Sequence, residues 1–384
     1  MKKKEFLLHT PKMIVSGVIL ALLLIAGCSK DDKKDNNTTD PVEEYDREVM
    51  LTNYADAYIL PAYSAYTSGI DSLKAAAINF NSTLNVTSLN QLRIKWENAL
   101  LLWQDVGFLE FGPAQNISLR SQTNVYPIDT VLVTNNIAAG SYNLQLASNF
   151  DAKGLQAVEY LINGTGNNDN DIVTYFSNTT NASTYLIDVI TDLETNANYV
   201  NNEWISTYRS NFIANSASNA QGSSVSDIVN AISLHYETFI RKGKIGLPAG
   251  VFNGFSQLPM PEHVEAYHYE QSLPFVYRSL VSLQKFIKGE HYASSVNGEG
   301  LEDYLNFVRA QSGGQPLSTL INNQFINISG ELANINDPLS NEVVNNNQGV
   351  RDVYQQMQQM VPFIKVETAN ALDVMITYQD NDGD

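Results

Sequence analysis

The residues with the most chemical promise lie in one stretch, Asp151-Ala152-Lys153-Gly154-Leu155-Gln156-Ala157-Val158-Glu159-Tyr160-Leu161-Ile162. A helix turns about 100° per residue. Gly154, Leu155, Val158, Leu161 and Ile162 then share an apolar face, and Glu159 falls at its edge. A carboxylate against a core is costly unless it is paired or hydrogen-bonded. Gln156 stands three residues before Glu159, close enough on a helix to be its neighbour. Two roles stay open for Glu159: a functional carboxylate in a polar pocket, or a structural one paired with Arg93, Lys95 or another base. Gly154 is the second anomaly. Inside a helix it costs about 1 kcal/mol against Ala, and facing the core it would let another backbone come close.

Other chemistries are poorly served. The chain contains no H-E-x-x-H and no G-x-S-x-G. Glu265-Ala266-Tyr267-His268 has the spacing of one di-iron half-site, but no other His has a Glu three residues before it. His263 and His268 are five apart, a poor spacing for a shared ligand face. Asp380, Asp382 and Asp384 look like the start of a calcium loop without the Glu that completes one.

The elements that must position these residues are helical. Residues 41–68 form a pattern of Tyr54, Tyr58 and Tyr66 that Pro61 should kink or divide, and 70–81 continue it. Ser88-Leu89-Asn90-Gln91 reads as a capping box. It opens a helix with a stripe of Leu92, Trp96, Ala99, Leu100, Trp103 and Val106, closed by Phe111-Gly112-Pro113. An irregular segment, 116–139, precedes the Gly154 stretch, and Asn163-Gly164-Thr165-Gly166 ends that stretch. Helices are expected near 181–201, 203–215, from Ser226-Asp227 to about 241, onward from Pro261, and over 300–311, 317–333 and 347–361. The polar run 215–224 is the best internal boundary.

The N-terminus reads as an address. Lys2, Lys3, Lys4 and Lys12 precede an apolar run over 13–26, too short for a typical membrane span. The run ends in Ile25-Ala26-Gly27-Cys28, which resembles a bacterial lipobox. On that reading Cys28 carries the lipid, and residues 28–44 are a polar tether without core-forming residues. Its acidic run resembles the export signal of surface-displayed lipoproteins, so the outer membrane is expected, with surface exposure the favoured face. Cys28 is the single cysteine, so an internal disulfide is excluded. A formal net charge of −18 argues against nucleic acid as a partner.

Gly154-Leu155-Gln156-Ala157-Val158-Glu159 is similar to the G-x-H-x-x-E motif of the imelysin, or M75 peptidase-like, family, with Gln156 where the family has His. The resemblance extends to the Trp-bearing helix and its F-G-P turn. It also covers Tyr126-Pro127-Ile128-Asp129, Val264-Glu265-Ala266-Tyr267 and the D-G-D finish. A family carboxylate near the end of the Trp helix would fall at Gly107. The resemblance implies an all-α protein of two packed helical bundles, 45–215 and 216–384, after a signal peptide over 1–27 and the tether. It implies a site around Gly154, Gln156 and Glu159, with Asp129 and Glu265 second and Arg93 as a candidate partner. It implies a binding component in iron or heme acquisition working with uptake components. The alternatives are an M75-type metallopeptidase, disfavoured because a Gln carbonyl is a poor Zn²⁺ ligand, and a glycan- or protein-binding surface module.

Overall fold

The computed structural model describes residues 44–379. The signal peptide, Cys28, most of the tether and Asp380–Asp384 lie outside the described residues. From Tyr45 onward the described residues form one compact unit. Among the described residues the fold is all-α, and the single strand pairing is Gln311–Ser312 with Gln315–Pro316. Helices of the first half pack directly on those of the second, as Leu273–Lys288 does on Val86–Val106.

The first rod runs through Arg47–Asn53, a π-helical Tyr54–Ile59 and Leu60–Ser82. Pro61 neither stops nor divides it. Its missing N–H leaves the Ala57 carbonyl without a helical donor, and the Tyr292 backbone N–H fills that place at 2.8 Å. Leu60–Ser82 is sandwiched between Val86–Val106 and Ala182–Glu203.

The Trp helix, Val86–Val106, buries the whole expected stripe. Its cap differs from expectation. Asn85 holds the N-cap and accepts from the Ser88 N–H at 2.9 Å, so Ser88 is already inside the helix. The helix also ends earlier, at Val106, and Pro113 instead opens the short helix Pro113–Asn116. Ala182–Glu203 continues through a π segment, Trp204–Tyr208, into Arg209–Ala214. The following helix is capped by Ser223, not Ser226; it spans Ser224–Leu234 and passes into the π-helical His235–Gly246. Helices at Leu301–Phe307, Leu317–Leu332 and Asn347–Val361 lie where expected.

The largest departure follows Pro261. The expected long helix is only a 3-10 turn, Pro261–His263. The chain then runs irregularly, with Ala266 at φ +59° and Glu270 at φ +63°. Left-handed backbone at two non-glycine residues cannot be part of a right-handed helix. The helix starts later, at Leu273–Lys288, with Asp337 accepting from the Ser272 and Leu273 N–H groups at 2.9 and 3.1 Å.

Candidate functional site

The organising stretch is not one uniform helix. A 3-10 turn, Ala147–Ala152, leads through extended Lys153 into the motif helix Gly154–Glu159, which widens into the π segment Tyr160–Gly164. Gly154 therefore opens the helix. Its φ is +78°, and a Cβ there would stand 2.4 Å from the Thr123 carbonyl oxygen. The expected close backbone approach is real, and only glycine meets both demands without strain. Trp96 fixes the other side by donating from its indole N–H to the Leu155 carbonyl at 2.8 Å.

Every residue of the motif helix is buried. Gln156 and Glu159 both reach the irregular segment 264–272. The Gln156 Oε1 accepts from the Ala266 N–H at 3.0 Å, and its amide donates to Asn124 Oδ1 at 2.8 Å. Asn124 in turn donates to Glu265 Oε1 at 2.7 Å, as Gln104 does at 3.1 Å. Lys244 pairs with the other Glu265 oxygen. Glu265 is 1% exposed and Lys244 3%. Burial pushes the Lys244 ammonium below the usual lysine range, and the Glu265 charge opposes that shift. Gln156 and Glu265 are thus joined through Asn124, as an uncharged amide linked to a compensated ion pair.

Glu159 has no basic partner among the described residues. Its Oε1 accepts from the Tyr269 N–H at 2.5 Å, and the His268 N–H also stabilises the carboxylate. Burial outweighs these bonds and pushes the carboxyl up to about 8. At neutral pH Glu159 is largely a neutral acid. Burial also depresses the His268 imidazole below the usual histidine range, so it is uncharged too.

Beside this pair lies a cavity of about 260 Å³. Tyr126, Ile128 and Val264 give it apolar walls; Gln156, Glu159 and His268 supply polar groups, joined by Thr130, Tyr267 and the exposed Glu262. A buried hydrogen-bonded network next to a cavity, with ionisations shifted toward neutral forms, marks the candidate ligand site of this fold.

The other sequence candidates stand elsewhere. Asp129 is exposed and caps Thr130–Ala139 by accepting from the Leu132 N–H at 2.8 Å. Arg93 does not meet Glu159. It pairs with Asp169 at 2.7 Å and donates to the Ile162 carbonyl at 3.0 Å, bracing the end of the motif segment from outside. Gly107 has no carboxylate, but Asp105 nearby is buried and holds Arg278 through two contacts of 2.6 Å. Glu265 and His268 do not share a helix, so the Glu-x-x-His spacing builds no half-site.

Sequence reasoning missed Asn124, Lys244 and the site role of His268. Lys244 lies in a stretch legible only as a helix breaker, and Asn124 in an irregular loop. No local periodicity marks either. His268 carried a signal, its spacing from Glu265, but only under a helix that does not form.

The fold and site define a helical protein whose motif helix faces a buried hydrogen-bonding network. Residues 59–373 match the imelysin family, peptidase M75. The chain belongs to that family. Its structure is similar to that of a Parabacteroides distasonis ATCC 8503 protein described as an iron-regulated protein A precursor. That pair has a TM-score of 0.70 and 15% identity, over 85% of this chain and 95% of the other. It is also similar to an imelysin-like protein from Psychrobacter arcticum 273-4, with a TM-score of 0.58 and 16% identity, over 86% of this chain and 97% of that one. At these identities the likeness is one of fold. No curated protein matches the chain.

The residues present do not fit a bare metal ion at the motif. Among the described residues no group of three or more His, Cys, Asp or Glu is placed to hold one. The Gln156 carbonyl is already taken by the Ala266 N–H.

Proposed function

We propose that this chain is a non-catalytic binding component in iron or heme acquisition, held at the outer membrane by lipid on Cys28. The observation that carries the reading is the motif cavity: apolar walls from Tyr126, Ile128 and Val264 around an uncharged imidazole, a neutral acid and an amide, with the exposed Glu262 also lining it. Such a cavity suits an iron complex that brings its own ligands, heme being one, better than a bare ion. The iron regulation named for the Parabacteroides relative supports the same physiology. Gln156 speaks against the M75 peptidase alternative, because its carbonyl is engaged and it cannot supply an imidazole to a hydrolytic zinc.

The test is titration of the full chain with Fe²⁺, Fe³⁺ and hemin, with elemental analysis, beside His268→Ala and Glu159→Gln. Hemin should bind near one per chain with a shifted Soret band, and binding should weaken in His268→Ala. Failure of hemin and both ions to bind would remove the reading.

A further inference from the structure

A second feature lies on the same loop: Tyr267 and His268 line it as well as the inner cavity, while its other polar groups belong to it and not to that cavity. Two clefts of about 430 and 310 Å³ flank His268 there and share Asn163 and Asn167. Neither is lined by Gln156 or Glu159.

Most side chains around the larger cleft are polar, and of its amides Asn163 is committed, donating to the Glu159 carbonyl at 3.1 Å. Asn167, Glu270, Ser340 and Asn341 line it, and none makes a side-chain hydrogen bond among the described residues. Tyr267 stands at its edge, 39% exposed, edge-on to the His268 ring with centroids 5.1 Å apart. An exposed aromatic ring beside free amides and a hydroxyl is unusual surface, because nothing in the fold uses these groups.

The backbone that presents Tyr267 is strained, and the strain is held. Ala266 and Glu270 bracket it in the left-handed region at φ +59° and +63°. The segment is fixed by Gln156 at the Ala266 N–H, Glu159 at the Tyr269 N–H, and the Ser272 hydroxyl donating to the Glu265 carbonyl at 2.5 Å. Strain of this kind persists only where surrounding structure over-determines it, and it gathers at functional sites.

The chemistry of the cleft selects its ligand. Amides and hydroxyls both donate and accept, as sugar hydroxyls do. The apolar C–H face of a pyranose packs on an exposed aromatic ring. Glu270 in the larger cleft, on a chain of net charge −18, repels polyanions, while Asp169 in the smaller cleft is paired with Arg93. We propose that Tyr267 and the amide-lined clefts around His268 bind a neutral glycan.

The experiment is calorimetric titration of the full chain with maltohexaose, cellohexaose and mannohexaose, and with hexagalacturonate as the anionic counterpart. At least one neutral hexasaccharide should bind, and hexagalacturonate should not. Tyr267→Ala should weaken that binding about tenfold; Asn341→Ala, at an exposed position, should weaken it severalfold with an unchanged melting temperature. The proposal is overturned if none of the three neutral sugars binds at millimolar concentration. It is equally overturned if Asn341→Ala and Tyr267→Ala both bind like the parent, or if hexagalacturonate binds as well as the neutral sugars. Asn341 does not line the inner cavity, so Asn341→Ala should bind hemin like the parent, and this variant separates the two sites.

Discussion

The Glu159 carboxylate accepts a hydrogen bond from the backbone N–H of Tyr269 at 2.5 Å, across 110 residues of sequence. This contact and its Gln156–Ala266 counterpart at 3.0 Å make the motif helix the anchor of the segment 264–272. The two motif side chains face a loop backbone as well as a cavity, so their chemistry and the loop's conformation are one problem.

The first prediction concerns Glu159 and pH. Its folded carboxyl is raised from 4.5 to about 8. Below pH 4.5 the acid is protonated whether the chain is folded or not. As pH rises from there to about 8, the unfolded chain releases the proton and the folded chain keeps it. The group's contribution to stability is therefore lost across that window, at up to about 1.4 kcal/mol per pH unit. Glu159→Gln removes the titration. Melting temperatures of parent and variant should be similar near pH 4.5 and diverge toward pH 8, with the parent falling. Parallel profiles would refute the assignment.

A second prediction follows from Gly154. With φ +78° and 2.4 Å between a built Cβ and the Thr123 carbonyl, Gly154→Ala adds both strain and a backbone clash. The loss should exceed about 2 kcal/mol, read by chemical denaturation. Gly222→Ala, also at positive φ but with nothing near its Cβ, should cost less. Equal losses would show that conformation alone matters at Gly154.

The buried Lys244–Glu265 pair gives a third. Lys244→Met leaves the Glu265 charge buried with only amide donors from Gln104 and Asn124. Removing one partner of such a pair costs about 3–5 kcal/mol. The double variant Lys244→Met/Glu265→Leu should recover part of that loss, as a double-mutant cycle would show. An additive double variant would mean the two charges are not coupled.

Gln156→Leu supplies a fourth. It strands the Ala266 N–H and the Asn124 side-chain Oδ1, at about 1–3 kcal/mol per unsatisfied group. Amide exchange should quicken over 264–270 well before the rest of the chain. Uniform acceleration would mean the glutamine supports the whole fold and not the loop.

The proposed anchor can be checked directly. Cys28→Ala should move the protein from the membrane fraction to the soluble fraction of the producing cell. Retention in the membrane would rule out lipid on Cys28 as the sole attachment.

Much of the helical core was legible because its signals are local. The stripe from Leu92 to Val106 repeats at the helical period, and all of it is buried. Asn347–Val361 and Leu317–Leu332 were likewise readable from amphipathic spacing. The peculiarity of Gly154 was readable as well, since a glycine on an apolar face implies a close neighbour. The identity of that neighbour, Thr123, was not.

What the sequence by itself determined is the main helices and the placing of Glu159 against the core, each resting on residue type and on neighbours within a turn or two. The all-α fold and the missing imidazole at position 156 came from the family resemblance. Only the tertiary structure decided that Glu159 meets backbone N–H groups and not Arg93, that Glu265 meets Lys244, and that no helix starts at Pro261. The last case shows the physical reason. The start of Leu273–Lys288 is fixed by the Asp337 carboxylate, 65 residues from Ser272 in sequence. Periodicity carries no information about partners brought together only when the chain closes on itself.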